Sequence, residues 1–279
     1  MTKIAIINLK GGVGKSVTTI NLAAELAAAG DSVLVLDLDK QANTTKYYNR
    51  LDYAAPSMAD VLTRWCSIDE ATVETPDPGI ALVPANMQLL AANRTVMLDV
   101  LDPQQSRLRE ALAGPGGAEA RAYTWCLMDC PPDLDMGSIN ALCAADYVLV
   151  PVDCDEWGLD GLQEILDQLD HVMAHYNPTL QLMGVLLTKW QRTRHCVEIA
   201  RRLPQYAVPV FDTAIRYTVA VKNAKAAHKP LRTFAPESTA AADYCAIAAQ
   251  IRCFNLPQLP HCVQSGHATE QEAPHEQQI

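Results

Sequence analysis

Short apolar runs rich in Ile, Val and Leu recur along the chain, each closing on a polar or Gly/Pro-containing segment. Lys3–Ile7, Val33–Leu36, Ile80–Val83, Tyr123–Met128, Asp146–Val152, Gln181–Thr188 and Val208–Ile215 read as strands. Where such runs carry no polar alternation they belong to a sheet covered on both faces. Between them lie helical patterns at Thr18–Ala29, Ser57–Thr63, Met87–Leu101, Gln104–Ala113, Gly161–Tyr176, Val219–Ala227 and Ser238–Phe254. In Gly161–Tyr176 the residues Leu162, Ile165, Leu166, Leu169, Val172 and Met173 fall on one side, an amphipathic face turned to a core. Pro103, the turn Gly114–Gly117, Pro230 and Pro236 punctuate the pattern. Strand, helix and parallel strand in fewer than forty residues make a βαβ unit. The predicted fold is therefore α/β, a doubly wound and mainly parallel sheet with helices on both faces, through residue 254. Residues 255–279 hold no Lys, Arg or aromatic and are expected to be a polar, disordered tail.

Chemistry enters at the first strand–helix junction, Asn8-Leu9-Lys10-Gly11-Gly12-Val13-Gly14-Lys15-Ser16-Val17. Three glycines let the backbone wrap closely, with several N–H groups pointing inward at the positive end of a helix, where a phosphate can sit. In such a loop Lys15 reaches the β- and γ-phosphates of a nucleotide and the Ser16 hydroxyl binds Mg²⁺. Leu9 occupies the place of the usual first glycine, and a second lysine, Lys10, precedes Gly11. Ligands in this fold bind at the carboxyl ends of the strands, so Asp37 and Asp39, after Val33–Leu36, and Asp129, after Tyr123–Met128, belong beside the loop.

Composition narrows the class. Nine scattered cysteines without a C-x-x-C pair read as buried, reduced thiols, and His171 and His175 as solvated side chains. No run of 18 apolar residues occurs and the N-terminus enters a strand at once, so neither a spanning helix nor a signal peptide is expected. The net charge of −10 is unevenly spread. Leu186–Arg232 carries ten basic residues against Glu198 and Asp212, a net +8, which leaves −18 for the rest of the chain. A basic segment on an acidic molecule suits local, sequence-independent phosphate contact.

Lys10-Gly11-Gly12-Val13-Gly14-Lys15-Ser16 resembles the deviant Walker A loop of the ParA/MinD family of P-loop ATPases. Further segments resemble the family in the same order: Asp37-Leu38-Asp39-Lys40-Gln41, with Lys40 where Pro is usual; Asp129-Cys130-Pro131-Pro132; and Pro151–Leu162, with Asp155 and Asp160 in place of Glu. The resemblance implies that Lys10 reaches the partner's phosphates across an ATP-sandwiched homodimer. It also implies that Asp39 positions the attacking water, that Asp37 supports metal and loop geometry, and that Asp129 holds Mg²⁺ through water. Candidate nucleotide contacts are Lys10 to Val17. An arginine after Gln181–Thr188 is implicated in non-specific DNA binding; the motif is out of step by one residue, so Arg192 and Arg194 are both candidates, together with Arg216, Lys222 and Lys225. The implied function is ATP-dependent DNA segregation with ATP/ADP and Mg²⁺, a ParB-like centromere-binding partner, and a cytoplasmic, nucleoid-associated location. The acidic end offers no basic amphipathic helix for a membrane. No helix-turn-helix segment precedes the loop, which resembles the small ParA form. Two other classes stay open: an ATPase switch positioning a cargo other than DNA, and a metal- or electron-carrying relative.

Overall fold

A computed structural model describes residues 1–154 and 160–254. Seven strands form one sheet: β1 (Thr2–Ile6), β2 (Val33–Asp37), β3 (Val73–Glu74), β4 (Ile80–Val83), β5 (Trp125–Asp129), β6 (Tyr147–Asp153) and β7 (Gln181–Thr188). Their spatial order is β3-β4-β2-β5-β1-β6-β7, all parallel except the antiparallel edge strand β3. The predicted doubly wound α/β sheet is thus observed.

Side chains alternate across the strands, and each face has its own core. Ile4 and Ile6 of β1, Val33 and Val35 of β2, and Trp125 and Leu127 of β5 bury toward one side. That side is covered by α1 (Lys15–Ala28), α2 (Asn43–Tyr47) and, from the far end of the chain, α10 (Val219–Ala226), α11 (Leu231–Phe234) and α12 (Thr239–Phe254). Ala5, Leu34, Leu36, Cys126 and Met128 bury toward the other. There lie α3 (Met58–Leu62), α4 (Ile68–Ala71), α5 (Leu89–Leu98), α6 (Arg107–Ala113), α7 (Met136–Ala144), α8 (Asp160–His175) and α9 (Arg194–Arg202).

Three expectations are corrected. Residues 208–215 form no strand; they touch β7 through isolated bridges, Val185 with Val210 and, just beyond, Trp190 with Arg216. Pro209 has no N–H to give a ladder, and its carbonyl alone accepts from Val185 N–H at 2.8 Å. The cysteines divide instead of sharing one environment. Cys126, Cys130, Cys143 and Cys196 are buried, Cys66 and Cys154 half-buried, and Cys245 and Cys253 exposed, all as free thiols. Helix α1 also starts earlier than its apolar pattern, because Gly14 takes a left-handed conformation (φ +96°) as its cap and draws Lys15–Val17 into the first turn. The polar tail, Cys262 and the segment at Asp155 lie outside the described residues.

Candidate functional site

β5 lies between β1 and β2, and the register sets Asp129 opposite both Ile6 and Asp37. The glycine loop after β1 therefore shares one sheet edge with the carboxylates that end β2 and β5. Asn8 anchors the loop's first turn: its amide donates to the Pro151 carbonyl at 2.7 Å, and its side-chain oxygen accepts from Lys10 N–H at 2.9 Å. Gly12 (φ +80°) and Gly14 hold left-handed turns that a side chain would strain, and nothing lies within 4 Å of a Cβ placed on Gly11 or Gly12. Thr188, ending β7, closes the far side by donating to the Val13 carbonyl at 2.8 Å. The result is an open backbone cradle at the start of α1.

Lys15 crosses this cradle, donating from Nζ to the carbonyls of Asn8 (2.8 Å) and Lys10 (3.0 Å). Burial pulls its pKa down, and the carboxylate of Asp129 foremost works against that shift. Lys10 Nζ stands 3.2 Å from Asp153 Oδ1 at the end of β6, and Asp153 Oδ2 is 3.2 Å from Lys189 Nζ. One buried carboxylate is shared by two lysines.

The acidic groups differ in what already fills them. Asp37 accepts from Thr45 N–H (2.8 Å), Thr45 Oγ1 (2.7 Å) and Asp39 N–H (3.1 Å), so its contacts are those of a loop-shaping group. Asp39 accepts from Gln41 N–H at 2.8 Å. Asp129 accepts from Thr44 Oγ1 at 2.6 Å, while its Oδ1 is buried without a hydrogen-bond partner among the described residues. Burial raises the pKa of both Asp37 and Asp129; for Asp129 the hydroxyls of Thr44 and Ser16 oppose it. Among the described residues no cluster of three or more His, Cys, Asp or Glu could hold a metal alone. A magnesium ion takes few protein ligands and completes its shell with phosphate and water. Half-buried Ser16 and the bare Asp129 oxygen, set beside an anion cradle, fit that requirement.

A cavity of about 450 Å³ opens beside Gly12 and Gly14, walled by Val17, Thr188, Tyr217, Val221 and Tyr244. Lys40 ties the loop after β2 to the β5–α7 loop through Asp133 at 2.8 Å.

The basic segments come together at the outer end of the same edge. Trp190 N–H donates to Ile215 O and Tyr217 N–H to Trp190 O, both at 2.9 Å. Arg192, Arg194, Lys222 and Lys225 are exposed. Arg216 differs: its guanidinium binds both oxygens of buried Asp243 on α12, with contacts down to 2.6 Å, and its backbone N–H adds a further bond at 2.9 Å. His171 and His175 are exposed, with rings 4.3 Å apart.

Asp153, Thr44 and Lys189 were not among the expected site residues. Asp153 carried the same signal as Asp37 and Asp129, an acid ending a buried strand; Thr44 carried none.

The family profile described as "AAA domain" matches residues 1–182. The chain is 33% identical over 256 residues to the chromosome partitioning protein ParA of Caulobacter vibrioides, covering 89% of this chain and 92% of that one. It is 32% identical over 252 residues to the sporulation initiation inhibitor protein Soj of Bacillus subtilis, covering 89% and 97%. A crystal structure described as cobyrinic acid a,c-diamide synthase of Mycobacterium smegmatis, with bound ADP and magnesium, superposes with a TM-score of 0.79. Its sequence identity is 28%, over 92% of this chain and 97% of that one.

Proposed function

Because the chain belongs to the ParA-type family of P-loop ATPases, we propose that it is an ATP-dependent DNA-partition ATPase. The observation that carries this reading is the open Gly11–Gly14 cradle, crossed by Lys15 and flanked by the bare Asp129 oxygen. The loop N–H groups and Lys15 bind the phosphates, and Ser16 and Asp129 hold Mg²⁺, Asp129 through water. The cavity beside Gly12 takes the base. Bound magnesium neutralises the phosphate oxygens and helps to fix the line of phosphoryl transfer to water.

Asp39 orients the attacking water from the loop after β2, and Asp37 keeps that loop in shape. Lys10 leaves Asp153 to reach the partner's phosphates when two subunits close around two nucleotides. Closure pairs two copies of the basic edge, and Arg192, Arg194, Lys222 and Lys225 then track DNA phosphates without reading sequence. Arg216 supports that surface through its tie to Asp243. A ParB-like partner stimulates hydrolysis, which opens the dimer and frees the DNA. The protein works in the cytoplasm on the nucleoid; no described helix is long and apolar enough to cross a membrane.

Calorimetry with ATP and Mg²⁺ tests nucleotide binding, and sedimentation with a gel shift tests ATP-dependent dimerisation and DNA retention. Absence of nucleotide uptake overturns the whole reading. Uptake and dimerisation without DNA retention at low salt favour a switch for another cargo.

A further inference from the structure

We propose that the Thr44 hydroxyl is a positioning group of the magnesium site, holding one oxygen of Asp129 so that the other alone faces the metal and its water. The inference rests on the ATP–magnesium reading above and adds a residue to it.

Thr44 and Asp129 are both fully buried. Their contact is Thr44 Oγ1 to Asp129 Oδ2 at 2.6 Å, and the hydroxyl is the donor, since an ionised carboxylate only accepts. Asp129 Oδ1 has no hydrogen-bond partner among the described residues. A buried carboxylate with one satisfied and one bare oxygen has a single direction left for an incoming ligand. Removing the hydroxyl would take the partner from Oδ2, leave Ser16 as the remaining hydroxyl that acts on Asp129, and let the carboxylate turn about its terminal bond. Groups that orient metal-binding carboxylates through hydrogen bonds matter nearly as much as the direct ligands.

Thr45 shows that this contact is specific to position 44. Its own hydroxyl and N–H are spent on Asp37, and its Oγ1 accepts from Ala85 N–H at 2.8 Å. Adjacent threonines thus pin adjacent carboxylates, Asp129 and Asp37, which the β2–β5 register sets side by side. The turn before them is tight: Ala42 N–H donates to the Asp39 carbonyl at 2.7 Å, and Ala42 is left-handed (φ +53°). Thr44 therefore also fixes the short helix α2 that follows Asp39, so the metal carboxylate and the water-orienting carboxylate share one tether.

The test compares Thr44→Val, which keeps the shape without the hydroxyl, with Thr44→Ser, which keeps the hydroxyl. Binding of a fluorescent ADP is measured with Mg²⁺ and with EDTA, and the ratio of the two affinities is read; thermal melts confirm folding. The ratio is expected to fall by roughly 10–100-fold in the valine variant and to return in the serine variant. If the valine variant does not fold, Thr44→Cys, with a weak donor of similar size, is expected to give an intermediate ratio. A wild-type ratio in a folded valine or cysteine variant, or no recovery with serine, overturns the proposal. Equal affinity with and without Mg²⁺ in the wild type would instead bring down the ATP–magnesium reading and this proposal with it.

Discussion

Asp153 holds Lys10: the ammonium stands 3.2 Å from a carboxylate whose side chain is 6% exposed, and Lys189 stands at the same distance from the other oxygen. The lysine that the ParA resemblance sends to the partner's phosphates is thus docked within its own subunit. In the dimer proposed above, closure would have to break that contact.

Asp153→Asn is expected to loosen Lys10 and remove a negative charge from the cradle's rim. The ATP concentration needed for dimerisation should fall about fivefold, the equivalent of ~1 kcal/mol for a partly screened pair. Lys10→Ala is expected to bind ATP and remain monomeric. Sedimentation velocity over an ATP series distinguishes both variants from the wild type.

Lys15→Ala removes the cation that spans the cradle. Loss of a buried, hydrogen-bonded charge from an anion site costs about 2–5 kcal/mol, so nucleotide affinity should drop by more than roughly 30-fold. Calorimetry with ATP and Mg²⁺ reads this directly.

Asp39→Ala is expected to leave nucleotide binding intact and slow phosphate release by about 10²–10⁴, the usual contribution of a group that orients or deprotonates water. A long-lived ATP dimer should accumulate. Turnover near the wild-type rate would remove Asp39 from the mechanism.

Arg216 and the α10 lysines should separate in their effects. Arg216→Ala strands the buried Asp243 carboxylate and is expected to lower the melting temperature. Lys222→Glu with Lys225→Glu should leave the melting temperature unchanged and weaken DNA retention, flattening the salt dependence by roughly two counterions. Thermal melts and gel shifts at two or more salt concentrations check both statements.

The parallel strands were legible because β1, β2, β5 and β6 are buried on both faces and their sequences show unbroken apolar runs. The cradle was legible because glycines, Lys15 and Ser16 sit at a strand–helix junction. The segment 208–215 misled because Val208, Val210, Phe211 and Ile215 imitate a strand, while Pro209 removes the donor that a ladder needs. Helices α5 and α6 came out shorter than their patterns: Met97, Leu98, Val100 and Leu101 are apolar yet more than half exposed, so hydrophobicity there did not mark a packed turn. Contacts such as Lys10 with Asp153 and Arg216 with Asp243 join residues far apart in the chain, and no local pattern announces them.

Where β5 runs between β1 and β2, the spacing of Asp37 and Asp129 is written into strand pairing and owes nothing to loop flexibility. Inserting or deleting one residue inside Trp125–Asp129 would turn the residues beyond the change, Asp129 included, toward the opposite layer. Length changes in natural variants should therefore gather in the surface connections, such as the stretch between α5 and α6, and spare this strand.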